Sequence, residues 1–182
     1  MTNVIRIKTD GIKFVLGWLT VLAIRLVPFR PPNVEPMFAV VMPFSKHYNA
    51  WGSFAFGVLG ITAFDLMTGT IGMWTLITAA AYGLLGAYAA WFFRDRGATV
   101  KNFLVCGIVG TVLYDAVTGL SIGPIFFGQS ITEAFVGQIP FTLMHVAGTA
   151  AFSVVLSPAA YRWIVTNPAL TIPVGARVAR AS

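Results

Sequence analysis

The chain has 182 residues, 57% of them hydrophobic and only 10% charged, with a mean hydropathy of +0.81. A soluble domain carries about 25% charged residues, so this chain lacks the charge to cover a water-facing surface and reads as an integral membrane protein. At about 20 residues per span the length holds six or seven helices at most, which excludes a catalytic head, a nucleotide-binding domain or a large receptor domain. The net charge of +6 fits the cytoplasmic bias of Lys and Arg in membrane chains and does not call for nucleic acid.

Residues 1–11 form a leader. Arg6, Lys8 and Lys13 flank the start of an apolar stretch from Ile12 to Val27, but no small-x-small cleavage site follows, so the stretch is a retained first helix over 12–28 rather than a signal peptide. Arg25, near its exit, either snorkels to the interface or pairs with an outer carboxylate, and pairing is favoured. The loop Pro28-Phe-Arg-Pro-Pro-Asn-Val-Glu-Pro36 has four prolines in nine residues and is stiff and extended. It is either a plain connection or, with Arg30, Asn33 and Glu35, a lid over a site.

The second helix, 36–46, is too short to cross a hydrocarbon core of about 30 Å. It contains Pro43, which predicts a kinked or tilted helix supported by its neighbours. Helices over 50–68, 73–93, 102–119 and 134–161 complete an all-α, multi-pass six-helix bundle. Residues 12–165 make the membrane domain and 166–182 a tail. With the N-terminus inside, the cytoplasmic side carries Arg6, Lys8, Lys13, Lys46, Arg94, Arg96, Lys101, Arg162, Arg177 and Arg180, and the outside only Arg25 and Arg30. That asymmetry supports six spans and cytoplasmic termini in a plasma membrane.

A repeat is visible at an offset of 50 residues. Gly57-Val-Leu-Gly-Ile-Thr-Ala-Phe-Asp-Leu-Met-Thr-Gly69 aligns with Gly107-Ile-Val-Gly-Thr-Val-Leu-Tyr-Asp-Ala-Val-Thr-Gly119. Both copies run inside to outside, so the repeat is parallel. Asp65 and Asp115 fall near the outer ends of apolar helices, where a carboxylate needs a cavity or a partner. They either touch substrate or bond to loop backbone and nearby arginines. Thr68 and Thr118 follow at i+3, and the glycine after each suits a helix C-cap.

Leu120–Ser130 reads as an apolar outward loop, with Phe126 and Phe127 as interfacial anchors or the wall of a pocket. Trp74 has the same two readings. Gln138 and His145 are seven apart on one face of the last helix; His145 is an interhelical hydrogen-bonder or a ligand contact. The small-residue stripes Ser53, Gly57, Gly60 and Ala79, Gly83, Ala87 allow close helix approach, within the chain or to a membrane partner. Cys106, the single cysteine, reads as a buried small residue. With no phosphate loop, no HExxH motif and no GxSxG elbow, neither an enzyme nor a resident cofactor or metal is expected.

Six short helices, the Pro-rich first external loop Val27–Pro36 and the basic inside loop Arg94-Asp-Arg-Gly-Ala-Thr-Val-Lys101 resemble the substrate-binding S components of energy-coupling factor (ECF) transporters. So do the stretches Phe64–Thr70 and Gly123–Ser130. The resemblance covers about residues 10–165. It implies a subunit that captures a vitamin or precursor from outside under the first external loop. Such a subunit then works with a transmembrane coupling subunit and two cytoplasmic ATPases. Implied pocket residues are Arg30, Asn33, Glu35, Asp65, Trp74, Asp115, Gln129, Gln138 and His145. Their aromatic and acidic character suits a heteroaromatic or partly cationic ligand. Members of that family dock through an Ala-x-x-x-Ala on the first helix, from which Gly17, Thr20 and Ala23 depart. The competing readings are a membrane scaffold, and a self-sufficient small carrier using Asp65 and Asp115 as a proton path.

Overall fold

The structure, a computed structural model, describes residues 6–29 and 33–175; Arg30, Arg177 and Arg180 lie outside the described residues. Six helices follow in order: α1 (Gly11–Arg25), α2 (Met37–His47), α3 (Ala50–Thr68), α4 (Met73–Phe93), α5 (Val100–Phe127) and α6 (Ile131–Ala160). α3 and α4 occupy the expected residues, and local chemistry explains why. The Asn49 side chain accepts the Gly52 N–H at 2.8 Å and closes the start of α3, satisfying one of the donors a helix N-terminus leaves open. Gly69, at φ 69°, ends it in the left-handed region that a Cβ disfavours.

α5 differs from the expectation. Gly119 stays helical, Pro124 lies inside the helix, and the left-handed stop is Gly128 at φ 66°. Pro124 removes one intrahelical hydrogen bond. In apolar surroundings every other backbone group still needs a partner, so the chain keeps coiling until a glycine releases it. The expected outward loop from Leu120 to Ser130 therefore shrinks to Gly128–Ser130. α6 starts three residues before the expected 134, at a reciprocal cap in which Glu133 N–H donates to Ser130 Oγ at 3.2 Å and Ser130 N–H to Glu133 Oε2 at 2.8 Å. It ends in a π-helical turn, Tyr161–Val165.

α3, α4, α5 and α6 with its π turn are 19, 21, 28 and 35 residues long, and each is long and apolar enough to cross a membrane. α1 and α2, with 15 and 11 residues, reach about 22 and 16 Å at 1.5 Å per residue. Among the described residues six α-helices are present and four are of spanning length; α2 is short as expected, whereas α1 stops at Arg25, short of the expected 28. Nor are the ends purely helical: β1 (Arg6–Thr9) pairs antiparallel with β2 (Ile172–Gly175), Arg6 opposite Gly175 and Thr9 opposite Ile172. That pairing joins the leader to the tail.

The short α2 is the centre of the fold. Every residue from Met37 to Ser45 is buried, as expected of a helix that is apolar around its whole circumference. The α3–α4 and α5–α6 hairpins pack around it. Gly60 of α3 makes room for Met37, and Gly110 of α5 for Phe38. Pro43 has no N–H to offer the Ala39 carbonyl. Ser157 Oγ of α6 donates to that carbonyl at 2.6 Å instead, so the freed acceptor is satisfied. Between α3 and α4 the backbones meet: a Cβ on Gly57 would strike the Tyr82 carbonyl, and one on Gly86 the Ser53 carbonyl. Between α5 and α6, Gly107 faces Ser153 and Thr149, and Thr111 Oγ1 donates to Thr149 Oγ1 at 3.0 Å. Close packing of this kind associates helices in lipid, where apolar surface alone gives no drive. Cys106 is fully buried.

Candidate functional site

A cavity of about 430 Å³ opens at the end of the bundle where α1 and α3 stop and α4 begins. α1 contributes Arg25 and the following segment Asn33 and Glu35. α3 contributes Ile61 and Asp65, and α4 Trp74, Thr78 and Tyr82. Tyr114 comes from α5, Phe141 and His145 from α6, and Thr70 from the α3–α4 turn. The alternating directions of the helices explain the convergence: residues far apart in sequence fall at the same depth.

Glu35 is committed to structure. Its Oε1 accepts the Met37 N–H at 3.0 Å, holding the start of α2, and its Oε2 lies 3.5 Å from Arg25 Nε. The Arg25 guanidinium also sits 3.8 Å from the centroid of the Phe64 ring, a favourable cation–π placement. Its Nη1 is buried without a hydrogen bond among the described residues. Asp65 is half-buried, and its Oδ2 accepts the Thr75 hydroxyl at 2.6 Å. Asp115 is 1% exposed and sits behind the wall, its Oδ1 2.8 Å from His145 Nδ1; its Oδ2 is buried without a partner among the described residues. A carboxylate at Asp115 accepts from the Nδ1 side of the ring, which leaves Nε2 on the opposite side. Rings surround that imidazole: Tyr114 and Phe141 both meet it edge-on at 88°, with centroids 5.7 and 6.0 Å away. Tyr82 packs on Tyr114 at 5.0 Å.

Of the residues expected at a site, Asn33, Glu35, Asp65, Trp74 and His145 line this cavity and Asp115 supports it from behind. Arg25 pairs, as favoured, rather than snorkelling. Arg30 lies outside the described residues. Gln138 and Gln129 are not brought in. Gln138 sits against Gly119, donates Nε2 to Thr142 Oγ1 at 3.1 Å and faces a shallow groove between α5 and α6. It shares a face with His145 but lies about 10 Å further along the axis. Gln129 packs against Gly123 at the end of α5. Thr68 and Thr118 spend their hydroxyls on the backbone carbonyls of Phe64 and Tyr114, at 2.9 and 2.8 Å, rather than on the aspartates. Phe127 stacks on Trp74, with centroids 6.1 Å apart and planes at 12°.

No family model, curated protein or solved structure matches this chain. The cavity must therefore be read from its own chemistry. Tyr82, Tyr114, Thr78 and Phe141 were not singled out in the sequence, although a tyrosine directly before the repeated aspartate and another mid-span in α4 were available signals: a buried phenol needs a polar partner.

Proposed function

We propose that this chain is a multi-pass plasma-membrane subunit that captures a small solute, in the manner of an ECF S component. The observation that supports this reading is the convergence of charged and aromatic side chains from α1, α3, α4, α5 and α6 on one cavity. Its charge balance bears on the ligand. Around the cavity Arg25 stands against three carboxyl groups, Glu35, Asp65 and Asp115. Asp65 offers a carboxylate and His145 an imidazole nitrogen, and Trp74, Tyr82 and Tyr114 offer ring faces. A planar, partly cationic heteroaromatic vitamin or precursor carrying N–H donors matches that set.

Lys46, Arg94, Arg96, Lys101 and Arg162 lie at the opposite end of the bundle, which supports reading the cavity as external and the termini as cytoplasmic. With no nucleotide site of its own, the chain works with a transmembrane coupling subunit and two cytoplasmic ATPases. One observation favours a second reading, a proton-coupled carrier: a carboxyl group and an imidazole, Asp115 and His145, pair at 2.8 Å inside an apolar bundle.

Mass spectrometry of small molecules retained by the gently purified chain tests the proposal. One cationic heteroaromatic solute per chain, displaced in Asp65→Asn, is expected. Absence of any saturable ligand leaves the scaffold reading. Gradient-driven uptake by the chain alone in vesicles selects the carrier.

A further inference from the structure

The opposite end of the bundle holds a second cavity, of about 520 Å³, where the end of α2 meets the start of α3 and the end of α4. Lys46, Asn49, Ala50, Trp91 and Arg94 line it, and no carboxylate does. The cavity presents hydrogen-bond donors. Three carbonyls at the end of α4 already accept bonds: Trp91 O from the Arg94 N–H at 3.3 Å, Phe92 O from Arg96 Nη1 at 2.9 Å, and Phe93 O from Lys46 Nζ at 2.8 Å. Lys46 keeps two further N–H groups. Asn49 uses its side-chain oxygen to cap α3, which leaves its amide NH2 free to donate. The Ala50 N–H has no partner within the helix, and the positive end of the α3 dipole there stands against the negative ends of α2 and α4, which the Lys46 and Arg94 charges offset. Arg94 shares only Nε with Asp95, at 3.3 Å, in a pair exposed to solvent.

We infer that this basic-end cavity binds a phosphate anion, carried either by a membrane lipid headgroup or as free phosphate. Donors converge from three elements, so the occupant needs several acceptor oxygens pointing different ways. A tetrahedral phosphate has them, and the guanidinium fork of Arg94 suits two of its oxygens. The volume exceeds that of inorganic phosphate and leaves room for a glycerol head. Trp91 and Trp51 beside it are 61% and 81% exposed, the amphipathic rings that populate a membrane–water boundary. The lipid source rests on the membrane reading of the four long helices; the phosphate site does not.

The test uses the full chain in detergent. Its melting is followed with inorganic phosphate against chloride at equal ionic strength, and native mass spectrometry counts retained phosphatidylglycerol against phosphatidylcholine. Protection by phosphatidylglycerol alone identifies a headgroup; protection by phosphate and not chloride identifies the free anion; either supports the site. Arg94→Gln and Lys46→Gln should each weaken binding about five-fold. Lys101→Gln, at the same end but outside the cavity, should leave it unchanged. Because Lys46 also caps α4, Arg94→Gln is the decisive variant. The inference is overturned if neither phosphate nor phosphatidylglycerol protects, or if Lys101→Gln weakens binding as much as Arg94→Gln.

Discussion

Gly57–Gly69 and Gly107–Gly119 share their glycines, their aspartate and their Thr-Gly ending, yet the two copies finish differently. In the first, Gly69 turns left-handed four residues after Asp65, the helix stops, and the carboxylate stays half-buried at the mouth of the cavity. In the second, Gly119 remains helical, α5 continues to Phe127, and Asp115 is sealed behind His145. The glycine contacts repeat this pattern of likeness with divergence. Gly60 and Gly110 each admit an α2 side chain, whereas Gly57 meets the α4 backbone and Gly107 only side chains, Ser153 and Thr149 of α6 and Met42 of α2. A duplicated segment can thus keep one packing scheme while a different stop assigns its aspartate a different task. Asp65 lines the cavity, and Asp115 orients an imidazole that lines it too.

The comparison can be broken first at the buried copy. His145→Ala would leave Asp115 buried and unpaired, at a cost of about 3–5 kcal/mol, and the folded yield and melting point in detergent should fall sharply. Asp65→Ala should change melting little, since Asp65 loses only a hydroxyl partner. Equal losses would end the distinction between the two sites. Next come the glycines. Gly57→Ala forces a methyl against backbone that cannot rotate away, whereas Ser153 and Thr149 can yield to Gly107→Ala. Melting should therefore fall further for the first, toward the upper end of about 1–3 kcal/mol for overpacking.

At the ligand, Asp65→Asn removes the cavity's exposed anion, and affinity for a cationic solute should fall about ten-fold; isothermal titration checks it. The smallest effect sits outside both copies. Burial acts to raise the Asp10 carboxyl, but hydrogen bonds from Lys13, Thr171 and His47 outweigh it and hold the group below the usual carboxylate value. A group lowered on folding stabilises above its unfolded value, about 3.9, and that contribution disappears as pH falls through the folded value. A shallow loss of melting temperature below about pH 4 is expected, absent in Asp10→Asn.

The legible parts of the fold were those with chemistry at both ends. Asn49 and Gly69 bound α3, and each can be read directly from the chain. The end of α5 was illegible because Thr118-Gly119 copies a genuine cap and Gly123-Pro124 imitates a loop. Nothing local records that the surroundings are apolar enough to carry a helix through both. The shortness of α2 was visible, and its place at the centre was implicit in Met37–Ser45, which has no polar face. At the site, the charged residues stood out against their apolar neighbours. Tyr82 and Tyr114 did not, because an aromatic ring inside a helix looks the same whether it fills a core or walls a cavity.

The bond from Ser157 to the Ala39 carbonyl has a consequence for biogenesis. In a chain inserted as proposed, α2 leaves the ribosome 118 residues before the hydroxyl that completes it, and it is too short to lodge across the bilayer unaided. Until α6 follows, the nascent protein holds an apolar segment with an exposed polar gap. α6 therefore completes α2, and products truncated before Ser157 should be cleared by quality-control proteases instead of accumulating as stable partial folds.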